Sequence, residues 1–153
     1  MASIFWDSEG ILMIDYLDTG ATITGEYYAN LLAQLRDEIK TKRRGKLRKG
    51  VLLLQDNAPV HTAQVATSAA QRCNFELLPH PAYSPDLAPS DFYLFPKLKS
   101  ELAGQRYSSN GEVESAVNGY LDTLPPSFFL EGLEMLQKRW AKCISLKGDY
   151  VEK

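Results

Sequence analysis

The stretch that most restricts the fold of this chain is residues 51–55, VLLLQ, which follows Gly50 and runs directly into Asp56. Four aliphatic residues and one polar one in succession fit a central strand covered on both faces. Asp56 then sits at the C-terminal end of that strand, where chemistry collects in open α/β sheets. A helical pattern precedes the run and an alanine-rich one follows it, so strand and helix alternate as in an α/β protein.

The remaining segments fit around this unit. Residues 2–6 and 11–17 are apolar runs separated by Asp7-Ser8-Glu9-Gly10, the pattern of a β-hairpin. Asp7 reads as a turn acid and Asp15 as a strand-edge acid. Tyr28, Leu31, Leu32, Leu35 and Ile39 recur at helical spacing. Thr24 is placed to cap that helix and Glu26 to favour its N-terminal dipole; the helix is expected to stop near Arg44. After Asp56, Asn57-Ala58-Pro59 turns the chain into a helix carrying Ala63, Ala66, Ala69 and Ala70. Residues 75–78 form another short strand. Residues 79–89 hold four prolines, too many for a sustained helix or ladder. Ser90 is then expected to cap a helix, with Asp91 in its first turn and Gly104 just past its end. Ser109-Asn110-Gly111-Glu112 has a capping-box pattern. Pro125-Pro126 ends that helix. A last helix from about Ser127 carries Phe129, Leu133, Leu136, Trp140 and Cys143 as a core stripe. The order is β-β-α-β-α-β-α-α-α, read as one domain over residues 1–153.

Composition excludes several classes. The 44% hydrophobic and 24% charged content is that of an ordinary globular protein. No apolar run approaches the length of a membrane span, and no small-molecule substrate site is legible. The two cysteines, Cys73 and Cys143, have no metal-ligand spacing and read as reduced thiols of an intracellular protein. Net charge is −2, yet seven of the seventeen Lys and Arg residues lie within residues 40–49. Lys42, Arg43, Arg44, Lys46, Arg48 and Lys49 therefore read as a solvated helix end, a phosphate-contacting patch or a nuclear-import signal.

Two carboxylates, Asp56 and Asp91, lie at a strand end and a helix start, with 34 residues between them. Acids without a Cys or His cluster favour a hard cation such as Mg²⁺ or Mn²⁺. Such ions activate a water or a 3′-hydroxyl and stabilise the leaving oxygen of a phosphodiester. On residue types alone, acids at such positions are more often structural.

The phrases QDNAPVHTA and SPDLAPSDFYLF, at this spacing, resemble the catalytic domain of mariner-type transposases of the mariner/Tc1 superfamily. The similarity extends over IFWDSEGILMIDYL, TITGEYYANLL and RWAKCISLKGDYVEK, and so over essentially the whole chain. The family pattern is Asp, Asp, 34 residues, Asp; Asp91 follows the mariner branch, where the Tc1 branch has Glu. The resemblance implies an RNase-H-like mixed sheet with flanking helices and extra C-terminal helices. It implies Asp56 and Asp91 as catalytic metal ligands for Mg²⁺ or Mn²⁺, with Asn57 and His61 in support. It implies DNA at transposon ends as partner, a possible homodimer and a nuclear location. Pro59-Val60 stand where the family more often has Arg-Pro, which leaves no arginine to carry a role there. His80 reads as a loop residue and Asp86 as a loop-capping acid.

In the family, the first acid lies on a first strand upstream of the segment matching MASIFWD, and the DNA-reading helix-turn-helix region lies further upstream. The chain is accordingly expected to lack that strand and to be inactive alone. The strands at residues 2–6 and 51–55 would then present unpaired edges, or pair with each other. The alternative reading is a domesticated nucleic-acid-binding or interaction module without catalysis. Domains of this family also occur fused to a histone-methyltransferase domain, of which these 153 residues show no trace.

Overall fold

The computed structural model describes residues 1–151. It resolves into two compact units, one of residues 1–5 and 12–83, the other of residues 6–11 and 84–153. A hairpin of β1 (Ala2–Asp7) and β2 (Gly10–Tyr16) contributes to both. Its two-residue turn is closed by the Asp7 carboxylate, which accepts from the Glu9 amide at 2.9 Å. The Leu17 amide donates to the Met1 carbonyl at the open end.

The first unit is organised by α1 (Gly25–Lys42). Thr24 caps it as expected, its hydroxyl accepting from the Tyr27 amide at 3.0 Å. All five residues of the apolar stripe are buried; Leu31 and Leu32 are each 1% exposed. After Arg43 the chain turns through Gly45 into a four-residue helix, α2 (Lys46–Lys49), and then into β3 (Val51–Leu53). β3 pairs in parallel with β4 (Phe75–Leu77), Val51 opposite Phe75. Parallel neighbours need a crossover, supplied here by α3 (Pro59–Thr62) and α4 (Gln64–Arg72). Ala63 separates those two helices with an extended backbone, so the alanine-rich segment is not one continuous helix. α1 packs on α4, where Ala66, Ala69 and Ala70 are buried together with Cys73.

The aliphatic run behaves differently from its reading as a strand covered on both faces. β3 spans only three residues, and Leu52 is 60% exposed. Among the described residues the strands form two separate two-stranded sheets, so β1 and β3 are not paired with each other.

In the second unit, Pro85–Leu87 forms a 3-10 turn and Ser90–Leu94 a π-helical turn that opens α5 (Phe95–Leu102). Ser90 does not cap this helix. Its hydroxyl instead accepts from the Trp6 indole at 3.0 Å. Gly104, with φ of 77°, follows the Ala103 cap as a C′ glycine should. α6 (Asn110–Thr123) is capped by Ser109, whose hydroxyl accepts from the Glu112 amide at 3.2 Å. The Glu112 carboxylate reaches back to the Ser108 amide and hydroxyl, and these bonds hold it below the usual carboxylate range.

The last helix, α7 (Pro126–Ser145), buries Phe129, Gly132 and Leu136. Trp140 was expected in the core stripe but is 38% exposed. Phe129 packs against Trp6, with ring centres 5.8 Å apart. Tyr93 is fixed at both ends: its hydroxyl donates to the Phe128 carbonyl at 2.7 Å, and its ring lies over Gly132. A Cβ at position 132 would come within 2.5 Å of Tyr93 Cδ2. The ring is tethered by its hydroxyl and cannot readily swing aside. We expect Gly132→Ala to destabilise the fold by about 1–3 kcal/mol, the usual cost of overpacking. Thermal or urea unfolding would show this, and an unchanged midpoint would contradict it.

Candidate functional site

Asp56 follows β3 and is held in place by its own loop. Its Oδ1 accepts from the Ala58 amide at 3.1 Å and from His61 Nδ1 at 2.6 Å. The Asp56 side chain remains 57% exposed, while His61 is 22% exposed. The short helix α3, started by Pro59, carries His61 back over the acid; proline at a first helical position suits that turn.

Behind His61 lie two residues that sequence reasoning left out. The Tyr28 ring stands 4.3 Å from the imidazole. Its hydroxyl donates to Gln55 Oε1 at 2.5 Å, and Gln55 Nε2 donates to the His61 carbonyl at 3.3 Å. Tyr28 thus touches both the histidine ring and the residue that holds the histidine backbone. Burial, and then the charge of Asp56, push the Tyr28 phenol far above its ordinary value, so it stays a donor. Gln55 carried a signal, as the one polar residue in an aliphatic run. Tyr28 carried none, because it also belongs to the apolar stripe of α1.

Asn57 donates from Nδ2 to the His80 carbonyl at 2.7 Å, tying the loop after β3 to the loop after β4. His80 takes part through its backbone, in keeping with its reading as a loop residue.

Asp91 belongs to the second unit. It is exposed, at the second position of the π-helical turn, and its amide donates to the Ala88 carbonyl at 2.8 Å. Trp6 bonds the neighbouring Ser90 and Arg139 stacks on the neighbouring Phe92, its guanidinium 4.1 Å from the ring centre. Asp91 is thus flanked on both sides by fixed side chains. No cluster of three or more His, Cys, Asp or Glu side chains suited to a metal ion occurs among the described residues. Asp15 instead accepts from the Tyr27 hydroxyl, and Asp7 closes the hairpin turn.

The basic residues divide in two. Lys42 is engaged within the fold: its Nζ donates to the Leu12 carbonyl at 2.7 Å and pairs with Glu38 at 3.0 Å. Arg43 caps α1 and donates to the Lys42 carbonyl at 3.2 Å. Arg44, Lys46, Arg48 and Lys49 are exposed on α2 and its approach. Arg48 and Lys49 border a shallow cleft with Gln71 and Asn74. Both cysteines are free thiols. Among the described residues no helix is long and apolar enough to cross a membrane.

Comparison with known proteins bears on the family and the fold. A family model described as Transposase (partial DDE domain) matches residues 1–49. The Mariner Mos1 transposase of Drosophila mauritiana is 36% identical over 99% of this chain. The human Histone-lysine N-methyltransferase SETMAR is 33% identical, also over 99%. The chain spans 45% of the first relative and 22% of the second. A solved structure of the Mos1 transposase catalytic domain and raltegravir with Mn superposes with a TM-score of 0.93, at 34% identity, over 97% of this chain and 76% of that one. The Mos1 paired-end complex with left transposon end superposes with a TM-score of 0.91 over 97% of this chain and 44% of the other. The fold is thus the RNase-H-like fold of the Mos1 catalytic domain, and the chain belongs to the mariner-type transposase family, matching that catalytic domain.

Proposed function

We propose that residues 1–153 are part of one transposase catalytic domain, in which Asp56 and Asp91 are ligands for Mg²⁺ or Mn²⁺ in DNA cleavage and strand transfer at transposon ends. The observation that carries this is the state of Asp56: a largely exposed carboxylate, oriented by a histidine at 2.6 Å, at the end of a parallel strand. Both internal bonds converge on Oδ1, so Oδ2 is the oxygen left to a cation. Carboxylate oxygens are the donors that hard divalent ions take. Such an ion would supply charge stabilisation at the phosphodiester and a lowered pKa for a bound water or hydroxyl. The part played by this chain's residues is orientation. His61 and the Ala58 amide aim Asp56, the Tyr28–Gln55 pair holds His61, and Asn57 fixes the loop. Relatives solved with Mn and with a transposon end support both the ion and the DNA as partners. The Mos1 paired-end complex also supports a second copy of the chain, and action on DNA supports a nuclear location.

Mn²⁺ binding, followed by electron paramagnetic resonance, tests the metal reading. Asp56→Asn and Asp91→Asn should each abolish measurable binding. His61→Ala should weaken it by about tenfold, as loss of an orienting partner does. Equal affinity in all four proteins would remove the proposal.

A second reading, a nucleic-acid-binding module without catalysis, is favoured by the exposed quartet Arg44, Lys46, Arg48 and Lys49. Replacing all four by Glu should weaken binding to duplex DNA and flatten the dependence of log K on log salt by roughly 0.9 for each phosphate no longer neutralised. An unchanged slope would rule the patch out as the DNA-binding surface.

A further inference from the structure

Asp86 is the one buried charged side chain among the described residues, at 6% exposure, and the metal reading makes no use of it. It lies in the 3-10 turn Pro85–Leu87, five residues before Asp91. Its Oδ2 accepts from the Val151 amide at 2.9 Å, while its Oδ1 is buried without a hydrogen-bond partner. Burying a carboxylate with an unpaired oxygen is costly, so something at this point must offset it. The groups around Asp86 indicate what. The Val151 carbonyl accepts from Lys142 Nζ at 2.9 Å, so both backbone groups of Val151 are taken by side chains. The Val151 side chain is itself 6% exposed. Arg139, one turn before Lys142 on α7, donates to the Asp86 carbonyl at 3.1 Å and lays its guanidinium over Phe92. The turn before Asp91 and the residue after it are therefore gripped from α7 and from the segment that follows it.

We propose that Asp86 is a positioning residue: together with Val151, Lys142 and Arg139 it forms a latch by which the segment after α7 sets the position of Asp91. A loop with four prolines in residues 79–89 and no ladder bonds has little of its own to hold it. The 3-10 turn is secured by the Leu87 amide to Ser84 and the Ala88 amide to Pro85, at 3.1 Å each. The carboxylate of Asp86 then gives that turn a long-range anchor 65 residues away in sequence. The position of Asp91 matters here because the proposed function makes it a metal ligand, and the inference rests on that reading.

Amide hydrogen exchange and Mn²⁺ titration on three proteins test the latch: the full chain, Asp86→Ala, and a chain ending at Lys147. The shortened chain keeps every core residue except Val151, which guards against an uninformative failure to fold. In both variants the amides of Leu87, Ala88, Asp91 and Phe92 should exchange at least about tenfold faster, the signature of a local opening, while those of α1 stay unchanged. Mn²⁺ binding should weaken severalfold, which a merely structural role would not cause. Unchanged exchange at these four amides in the shortened chain overturns the proposal. A uniform rise that includes α1 does so too, as does faster exchange with an unaltered Mn²⁺ constant. If the full chain binds no Mn²⁺, the metal reading fails and with it the purpose of the latch, while the exchange rates still decide whether the latch exists.

Discussion

The close approach of α1 to α4 is the packing on which the first unit depends. It is possible because the facing side chains are small. Ala66, Ala69 and Ala70 leave room for Leu31, Leu32 and Leu35 to bury almost completely. Gly25 belongs to the same arrangement: a Cβ there would stand 3.0 Å from Ala63 Cβ and 3.1 Å from Val65 Cγ1. Full burial of each leucine contributes on the order of 2 kcal/mol. With α1 seated, Tyr28 is brought against His61, and through Gln55 it reaches the loop that carries Asp56. The orientation of an exposed acid is thus inherited from an apolar helix face.

How legible each part was in sequence follows from how local its determinants are. The stripe of α1 and its Thr24 cap are set by spacing and one side chain, and both were readable. The same holds for Ser109 and Glu112 at α6. The α/β class was legible from the strand and helix order, and its RNase-H-like form only through the family resemblance that two long phrases carry. The extent and cover of β3 were not. An aliphatic run states that a segment is apolar, but not how many neighbours it finds, and Leu52 faces solvent. Trp140 likewise sits at core spacing on α7 without being covered. The break at Ala63 and the diversion of the Ser90 hydroxyl to Trp6 depend on partners distant in sequence, which no local pattern encodes.

The candidate site shows the same division. Asp56 and Asp91 stood out through motif and spacing, and His61 through its place in the first phrase. What orients His61 was hidden, because Tyr28 obeys the helical period that also marks a core residue. The basic cluster divides between two roles. Lys42 and Arg43 terminate α1 and Lys42 also bonds the hairpin at Leu12, while Arg44, Lys46, Arg48 and Lys49 are exposed on the short helix α2 and its approach, a turn that Gly45 and Gly50 bracket with φ of 83° and 82°.

The burial of Cys73 has a consequence for how the molecule can be watched. Its thiol is 5% exposed, touches the Leu32 carbonyl at 3.6 Å, and is pushed above the ordinary thiol range by that burial. Cys143, on α7, is only half-buried. An alkylating reagent therefore meets two thiols of very different reactivity. Labelling at Cys73 requires α1 to part from α4, so this side chain reports the opening of the core from within: its population when reclosing outpaces alkylation, its rate when alkylation is the faster.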